Sequence, residues 1–250
     1  MFLKRARLAR SMPKWKEEWK VWGNVFDRYT EENLVKLSKQ GHITELVSPL
    51  SIGKESNIFT VASPHGTIVA KIYRVQNCNF KHMYDYIIAD PRYGNIKPGK
   101  RQIILSWITR EFRNIMLARQ GGVTVPKPIA LEGNVIMMEL IDGQQLKDDA
   151  PDNPKAFLDT LLKEVATLWK AGLVHGDLSA FNVLNFQQKP VLIDFSQGSS
   201  VEAFNAQELL ERDLTNVREY FRKLGVPLDV VRASKRIRQG YKPQRGRDTP

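Results

Sequence analysis

The residues best suited to chemistry lie in two short segments: residues 175–185 read HGDLSAFNVLN and residues 191–197 read VLIDFSQ. Asp177, on a short loop after a helix, can orient and deprotonate a hydroxyl, and Asn182 and Asp194 offer the hard oxygen ligands that suit Mg²⁺ or Mn²⁺. Two strands around a turn, at 183–185 and 191–193, would hold those ligands face to face. Taken singly, Asp177 reads equally as a turn cap and Asp194 as a strand end. The joint occurrence of loop, asparagine, hairpin and second aspartate points instead to phosphoryl transfer.

That chemistry needs phosphate-binding parts, and three occur upstream in order. Residues 50–59 read LSIGKESNIF, where Gly53 keeps the central glycine of a glycine-rich phosphate loop and Ser51 and Ser56 stand where two further glycines would be. Ser51, Gly53, Lys54 and Ser56 are the expected nucleotide contacts there. The GKE is no Walker sequence, because Ser48 occupies the first-glycine position and Glu55 replaces the required Ser or Thr. Residues 69–71 read VAK, so Lys71 lies on a buried strand and needs an anionic partner, which Glu111 on the next helix can supply. A lysine whose stem lies along the strand and whose head reaches solvent is the alternative. Glu139 and Ile141, where a strand meets a polar stretch, can present main-chain groups to adenine. Met137 or Met138 would line the pocket floor or fill the core, with Met138 the candidate contact.

Periodicity identifies the elements that must position these residues. Trp15, Trp19, Trp22 and Phe26 repeat on one helical face, either a partner surface or a helix packed on the body, and Thr30 can cap a second helix closing near Gly41. Short β-rich runs at 44–50, 57–62 and 67–73 predict an antiparallel sheet. Residues 75–102 keep no period and hold two Pro and two Gly, which predicts a long, mobile loop. A helix at about 106–120 follows, with Ile108, Phe112 and Ile115 inward and Glu111 at the edge of that face, and then two more strands at 127–131 and 135–140. The polar run 142–154 reads as a hinge. Beyond it two apolar stripes, at 157–169 and 209–224, predict helices. The expected organisation is α+β in two lobes: a basic helical extension at 1–42, an N-lobe at 43–141, a helical C-lobe at 142–231 and a basic tail at 232–250.

Composition bounds the rest. The chain has 250 residues, 42% hydrophobic and 26% charged, which suits a folded body with a real core. One cysteine and four scattered histidines exclude a disulfide framework and a compact zinc spacing and fit a reducing cytoplasm. No stretch approaches the ~18 apolar residues that span a bilayer, so no membrane role is expected. The net charge of +11 gathers at the two ends, as solvated tails or as a surface for a polyanion.

With HGDLSAFN, IDFSQ, SIGKESNIF and the helix segment REFRN, the chain resembles the RIO family of atypical serine/threonine protein kinases, in particular its first subfamily and archaeal type. The likeness runs from about Ile43 to Leu224. It implies a two-lobed protein-kinase-like fold using ATP with Mg²⁺. Asp177 would be the catalytic aspartate, Asn182 and Asp194 the metal ligands, Lys71 the phosphate lysine and Glu111 its partner. Ser56 would approach the phosphates, and Glu139 and Ile141 would hold adenine through their main chains. It also implies work on a small ribosomal subunit precursor and its rRNA, with ATP hydrolysis as relevant as protein phosphorylation and Asp194 as a residue that carries phosphate transiently. Two positions depart from the family pattern: Ser196 replaces the glycine of Asp-Phe-Gly, and Ile52 replaces a threonine. Other readings of HGDL with a later Asn and Asp are an aminoglycoside-type or tRNA-modification kinase, against which the SIGKESNIF loop argues. A basic RNA-binding factor that holds ATP only as a structural ligand is a further alternative.

Overall fold

The computed structural model describes residues 26–93 and 99–240. The Trp15, Trp19 and Trp22 stripe and the extreme basic ends lie outside them, while Phe26 at the end of that stripe is buried. Helix α1 (Arg28–Lys39) is capped by Asp27, whose Oδ1 accepts from the Thr30 N–H at 2.8 Å, so Thr30 lies inside the first turn rather than at the cap.

Strands β1 (Glu45–Ile52), β2 (Ser56–Ser63), β3 (Gly66–Tyr73), β4 (Pro128–Glu132) and β5 (Val135–Glu139) form an antiparallel sheet in the order β1-β2-β3-β5-β4. Strand parity divides it. Phe59, Val61, Ala70, Ile72 and Met137 face α1 and pack with Leu34 and Leu37. Val69 and Lys71 are paired with Met138 and Ile136, and these alternate residues face the other way.

Asn134, fully buried in the β4–β5 turn, ties α1 to this sheet. It accepts from Asn33 Nδ2 at 3.0 Å and donates to Thr30 Oγ1 at 2.8 Å and to the Tyr73 carbonyl at 2.7 Å. Its neighbour Gly133 has φ 54°, and a Cβ there would lie 2.1 Å from Asn33 Nδ2, so the turn admits only glycine.

The expected loop at 75–102 is largely folded. Helix α2 (Phe80–Ala89) and a 3₁₀ turn (Pro91–Tyr93) precede helix α3, which begins at Lys100 and runs to Gln120. Met83 and Ile87, one turn apart, are buried against Ile103, Ile104, Trp107 and Ile108. Phe80, Met83, Tyr84 and Ile87 do keep a helical spacing, but it spans only two turns and is followed at once by a Pro- and Gly-rich stretch. Residues 94–98 lie outside the described set.

The hinge also differs from expectation. Within 142–154, β6 (Gln144–Gln145) pairs with β8 (Val183–Phe186), which pairs with β9 (Lys189–Leu192), so much of this run belongs to the C-lobe. Helix α4 (Pro154–Lys170), with Asn153 as cap, and helix α5 (Ala206–Lys223) surround the largest core cluster, and short strands β7 (Leu173–Val174) and β10 (Ser199–Ser200) pair beside them. The start of the expected tail is a helix, α6 (Val230–Gln239), capped by Asp229 and anchored by Ile237. Among the described residues no helix is long and apolar enough to cross a membrane.

Replacing Asn134 by Ala strands Asn33 Nδ2 and takes one hydrogen bond each from Thr30 Oγ1, which keeps Asp27, and from the Tyr73 carbonyl. The expected loss is about 1–3 kcal/mol of unfolding free energy, read by urea denaturation with unchanged m-value.

Candidate active site

The parity of β3 sends Lys71 into the space between sheet and α3, where its side chain is 7% exposed. Its Nζ lies 2.7 Å from Glu111 Oε1 and 2.9 Å from Asp194 Oδ1. The expected Lys71–Glu111 partnership is present, and the Asp194 carboxylate completes it from the far lobe. Glu111 is 1% exposed, central to the buried stripe of α3 rather than at its edge, and its Oε2 accepts from the Tyr73 hydroxyl. Burial alone would lower the Lys71 ammonium, but Asp194 and Glu111 hold it well above its ordinary 10.5. Burial would likewise raise Asp194, yet Lys71 brings it down to about 2, so both are ionised at neutral pH.

Asp194 has φ 61°, an uncommon conformation for a residue other than glycine. The Ser196 N–H donates to its Oδ1 at 3.3 Å. The preceding Ile193 N–H donates to the Asn182 carbonyl at 3.0 Å, which sets Asn182 beside Asp194 as the hairpin reading expected. Asn182 Nδ2 donates to the Asp177 carbonyl at 2.8 Å and to its Oδ2 at 3.2 Å, leaving Asn182 Oδ1 without a partner among the described residues. Burial, then the nearby Asp194 charge, raises the Asp177 carboxyl above its ordinary 3.8.

These oxygens fit Mg²⁺. Asn182 Oδ1 and the Asp194 carboxylate would supply the one or two protein oxygens that such a hard cation takes, with phosphate and water completing its shell.

The other expected nucleotide contacts lie as follows. The turn between β1 and β2 lies at the Lys71 end of the sheet, since Ser56 pairs with Tyr73 and Ile58 with Lys71. The Gly53 N–H donates to the Ser56 carbonyl at 3.0 Å, and a Cβ on Gly53 would lie 2.7 Å from that oxygen, so the turn needs this glycine. Ser51 and Lys54 are exposed and Ser56 is half-buried. Met137 belongs to the core under α1, whereas half-buried Met138 touches the clusters of both lobes, as a pocket-floor residue would. The Glu139 N–H is taken by the Lys127 carbonyl at 2.9 Å, while the Ile141 N–H has no partner among the described residues.

Sequence reasoning missed several supporting residues. Asp213, buried on α5, accepts from the N–H groups of Gly176 and Leu178, both at 2.8 Å, and so grips the loop on either side of Asp177. The signal was available: 210, 213, 214 and 217 share one apolar face, and a lone aspartate there needs partners. The His175 ring lies tilted at 45° against Phe195 with centroids 4.8 Å apart, and its Nε2–H donates to the Ile193 carbonyl at 3.0 Å. Burial holds its pKa down to about 4, so it is a neutral spacer, not an acid. Glu55 bonds through its carbonyl to the Arg74 N–H at 2.8 Å, tying the phosphate turn to the chain after β3.

An antiparallel sheet over a helical lobe, with a lysine shared by two acidic side chains and an Asp–Asn–Asp set across the cleft, defines the protein-kinase-like class of phosphotransfer fold. Comparison with known proteins narrows this: the RIO domain family matches residues 57–234. The chain belongs to the RIO family of serine/threonine protein kinases. It is 38% identical over 219 residues to a RIO-type serine/threonine-protein kinase Rio1 of Haloferax volcanii, covering 85% of this chain and 76% of that one. Against the Methanocaldococcus jannaschii protein of the same description it is 35% identical, covering 84% and 74%. In fold it is similar to the Rio2 kinase of Chaetomium thermophilum solved as an ADP/Mg²⁺-phosphoaspartate complex, with TM-score 0.62 at 24% identity over 83% of this chain and 68% of that one.

Asp213 gives a pH test. Burial pushes its carboxyl up to about 7 against the two N–H donors. Between the ordinary 3.8 and about 7 the folded chain therefore holds a proton that the unfolded chain has lost. The stability from this group is full below 3.8 and lost as pH rises to about 7. Urea denaturation should show the stability difference between wild type and Asp213→Asn falling from about pH 5 to pH 7, by at most about 1.4 kcal/mol per pH unit, and flat above.

Proposed function

We propose that this chain binds Mg-ATP between its lobes, transfers the γ-phosphoryl group to a serine or threonine hydroxyl or to water, and acts in the cytoplasm on a precursor of the small ribosomal subunit. The observation that carries the catalytic part is Lys71 held 2.7 Å from Glu111 and 2.9 Å from Asp194, one acid from each side of the cleft. Lys71 is placed for the α- and β-phosphates, and the Ile141 N–H for adenine. Asp177 orients the attacking hydroxyl and takes its proton, while Asn182 Nδ2 keeps that carboxylate turned toward the cleft. Mg²⁺, when bound through Asn182 Oδ1 and Asp194, supplies charge neutralisation of the phosphates. The ribosomal setting is supported by the net charge of +11 and by the Arg232, Lys235 and Arg236 side chains exposed along α6.

A hydrolytic reading also has support, because the Chaetomium thermophilum Rio2 kinase is described with ADP, Mg²⁺ and phosphoaspartate. By that route a carboxylate oxygen of Asp194 attacks the γ-phosphorus, ADP leaves, and water then cleaves the acyl phosphate. Quenching with labelled ATP distinguishes the routes: hydroxylamine-sensitive label lost in Asp194→Asn supports hydrolysis, and label resistant to hydroxylamine on Ser or Thr rejects it.

Asp177→Asn should lower turnover on the order of 10²–10⁴-fold while leaving nucleotide affinity nearly unchanged. Since the raised carboxyl must be ionised to act as base, wild-type turnover should fall on acidification at a pH above the ordinary 3.8, and this limb should vanish in the variant. Saturating Mg-ATP should stabilise the wild type by about 2.7 kcal/mol at a hundredfold excess over Kd. Lys71→Ala and Asp194→Ala should each lose most of that shift in a thermal melt, and shifts intact in both reject the site.

A further inference from the structure

The buried face of α3 that carries Glu111 also carries two polar residues that the reaction does not use. Arg110 is fully buried, yet it makes no ion pair within 4.0 Å among the described residues. Its Nη1 donates to the Tyr86 carbonyl in α2 and its Nη2 to the Ser196 carbonyl two residues after Asp194, each at 2.9 Å, while the guanidinium lies 4.6 Å from the Trp107 ring centroid. Asn114, also fully buried, donates to the Gly198 carbonyl at 2.8 Å and the Phe195 carbonyl at 3.3 Å. Its Oδ1 accepts from Arg92 Nη1 at 3.0 Å, and Arg92 in turn forks onto buried Asp90 at the end of α2. Burying a guanidinium on two carbonyls is a poor way to gain stability, since an apolar side chain of similar volume avoids the desolvation. It is a good way to fix two backbone segments at once.

We propose that Arg110 and Asn114 are positioning residues that hold the 195–198 backbone so that Asp194 presents its carboxylate to the metal, and that the same bonds couple this geometry to the docking of helix α2. The inference rests on the Mg-ATP reading of the site. Arg212 on α5 also touches both sides, through the Tyr86 hydroxyl and Gln197 Oε1, but among the described residues only α3 bonds main-chain carbonyls of both α2 and the loop after Asp194, and a Cβ on Gly198 would lie 2.9 Å from Asn114 Nδ2. Asp194 itself is held at φ 61° by Lys71 and the Ser196 N–H, and Ile193 before it by Asn182 and His175, so the clamp is the support that acts on the side after Asp194. The position of α2, which lies between Lys71 and Glu111 in the chain, would then set how well the metal is ligated.

The test is the full chain with Arg110→Lys, which keeps the charge but cannot span both carbonyls, and with Arg92→Lys, which keeps a cation for buried Asp90 but gives up the fork that also holds Asn114. Binding of a fluorescent ATP analogue is measured in EDTA and across a Mg²⁺ titration, alongside proteolysis of residues 80–93. The clamp predicts a half-maximal Mg²⁺ concentration raised about 10–100-fold, as for other outer-shell ligand supports, with metal-free nucleotide affinity nearly unchanged and faster cleavage in 80–93. Should Arg110→Lys fail to fold, Arg92→Lys decides by the same readouts. An unchanged Mg²⁺ requirement, or equal losses with and without the metal, overturns the clamp. A wild type that gains no affinity for the analogue from Mg²⁺ overturns the reading beneath it.

Discussion

A lysine ammonium out of water must be met by anions, and the position of Lys71 makes that demand at the centre of the molecule. It faces away from the α1 core because Ala70 and Ile72 on either side face into it. The anions come from opposite directions: Glu111 from the middle of a 21-residue helix and Asp194 from the loop after β9. For both to reach one nitrogen, α3 must cross behind the sheet and the β8–β9 hairpin must bring the loop that follows it under the sheet. The lobes are thereby tied together at one ammonium, which Glu111 pairs with from its own lobe and Asp194 from the other.

Around that pairing the structure spends its polar groups on backbone rather than on substrate-facing chemistry. Asp213 grips the N–H groups around Asp177, His175 takes the Ile193 carbonyl, and Asn182 bonds across its own turn to Asp177. The catalytic loop is therefore over-determined from both sides, which is what a loop requires if a carboxylate on it must be placed to within a fraction of an ångström. Gly176, with φ 76°, lies so close to the Gln197 carbonyl that a Cβ would meet it at 2.7 Å. The loops after α4 and after β9 thus pack backbone to backbone, with little room for either to move alone.

The chemistry was legible in the sequence because its residues lie in short windows with fixed spacing: HGDLSAFN and VLIDFSQ each present their ligands within a few positions of one hairpin. The sheet and the long helices were legible because their periods run over many residues. Helix α2 was missed although Phe80, Met83, Tyr84 and Ile87 keep a helical spacing, because that stripe spans only two turns and Pro91 closes it almost at once. Arg110 and Asn114 were hidden for another reason. On a helical wheel they stand at i and i+4 among charged neighbours, and polar side chains on a helix ordinarily read as its solvent face. Their burial comes from the loop packed against them, a contact across more than 80 residues that no local pattern contains.

These buried polar groups also bear on stability. Glu111, Arg110, Asn114, Lys71, His175 and Asp213 are each no more than 5% exposed, and each loses hydration that its partners only replace. The stabilising burial lies elsewhere, in the aliphatic clusters under α1 and between α4 and α5, where Leu34, Leu37, Phe59, Leu161, Leu214 and Phe221 are at most 1% exposed. Apolar side chains at the six polar positions would remove that cost and remove the alignment with it. The mass of each lobe lets the cleft between them keep charges that a core of this size would otherwise exclude.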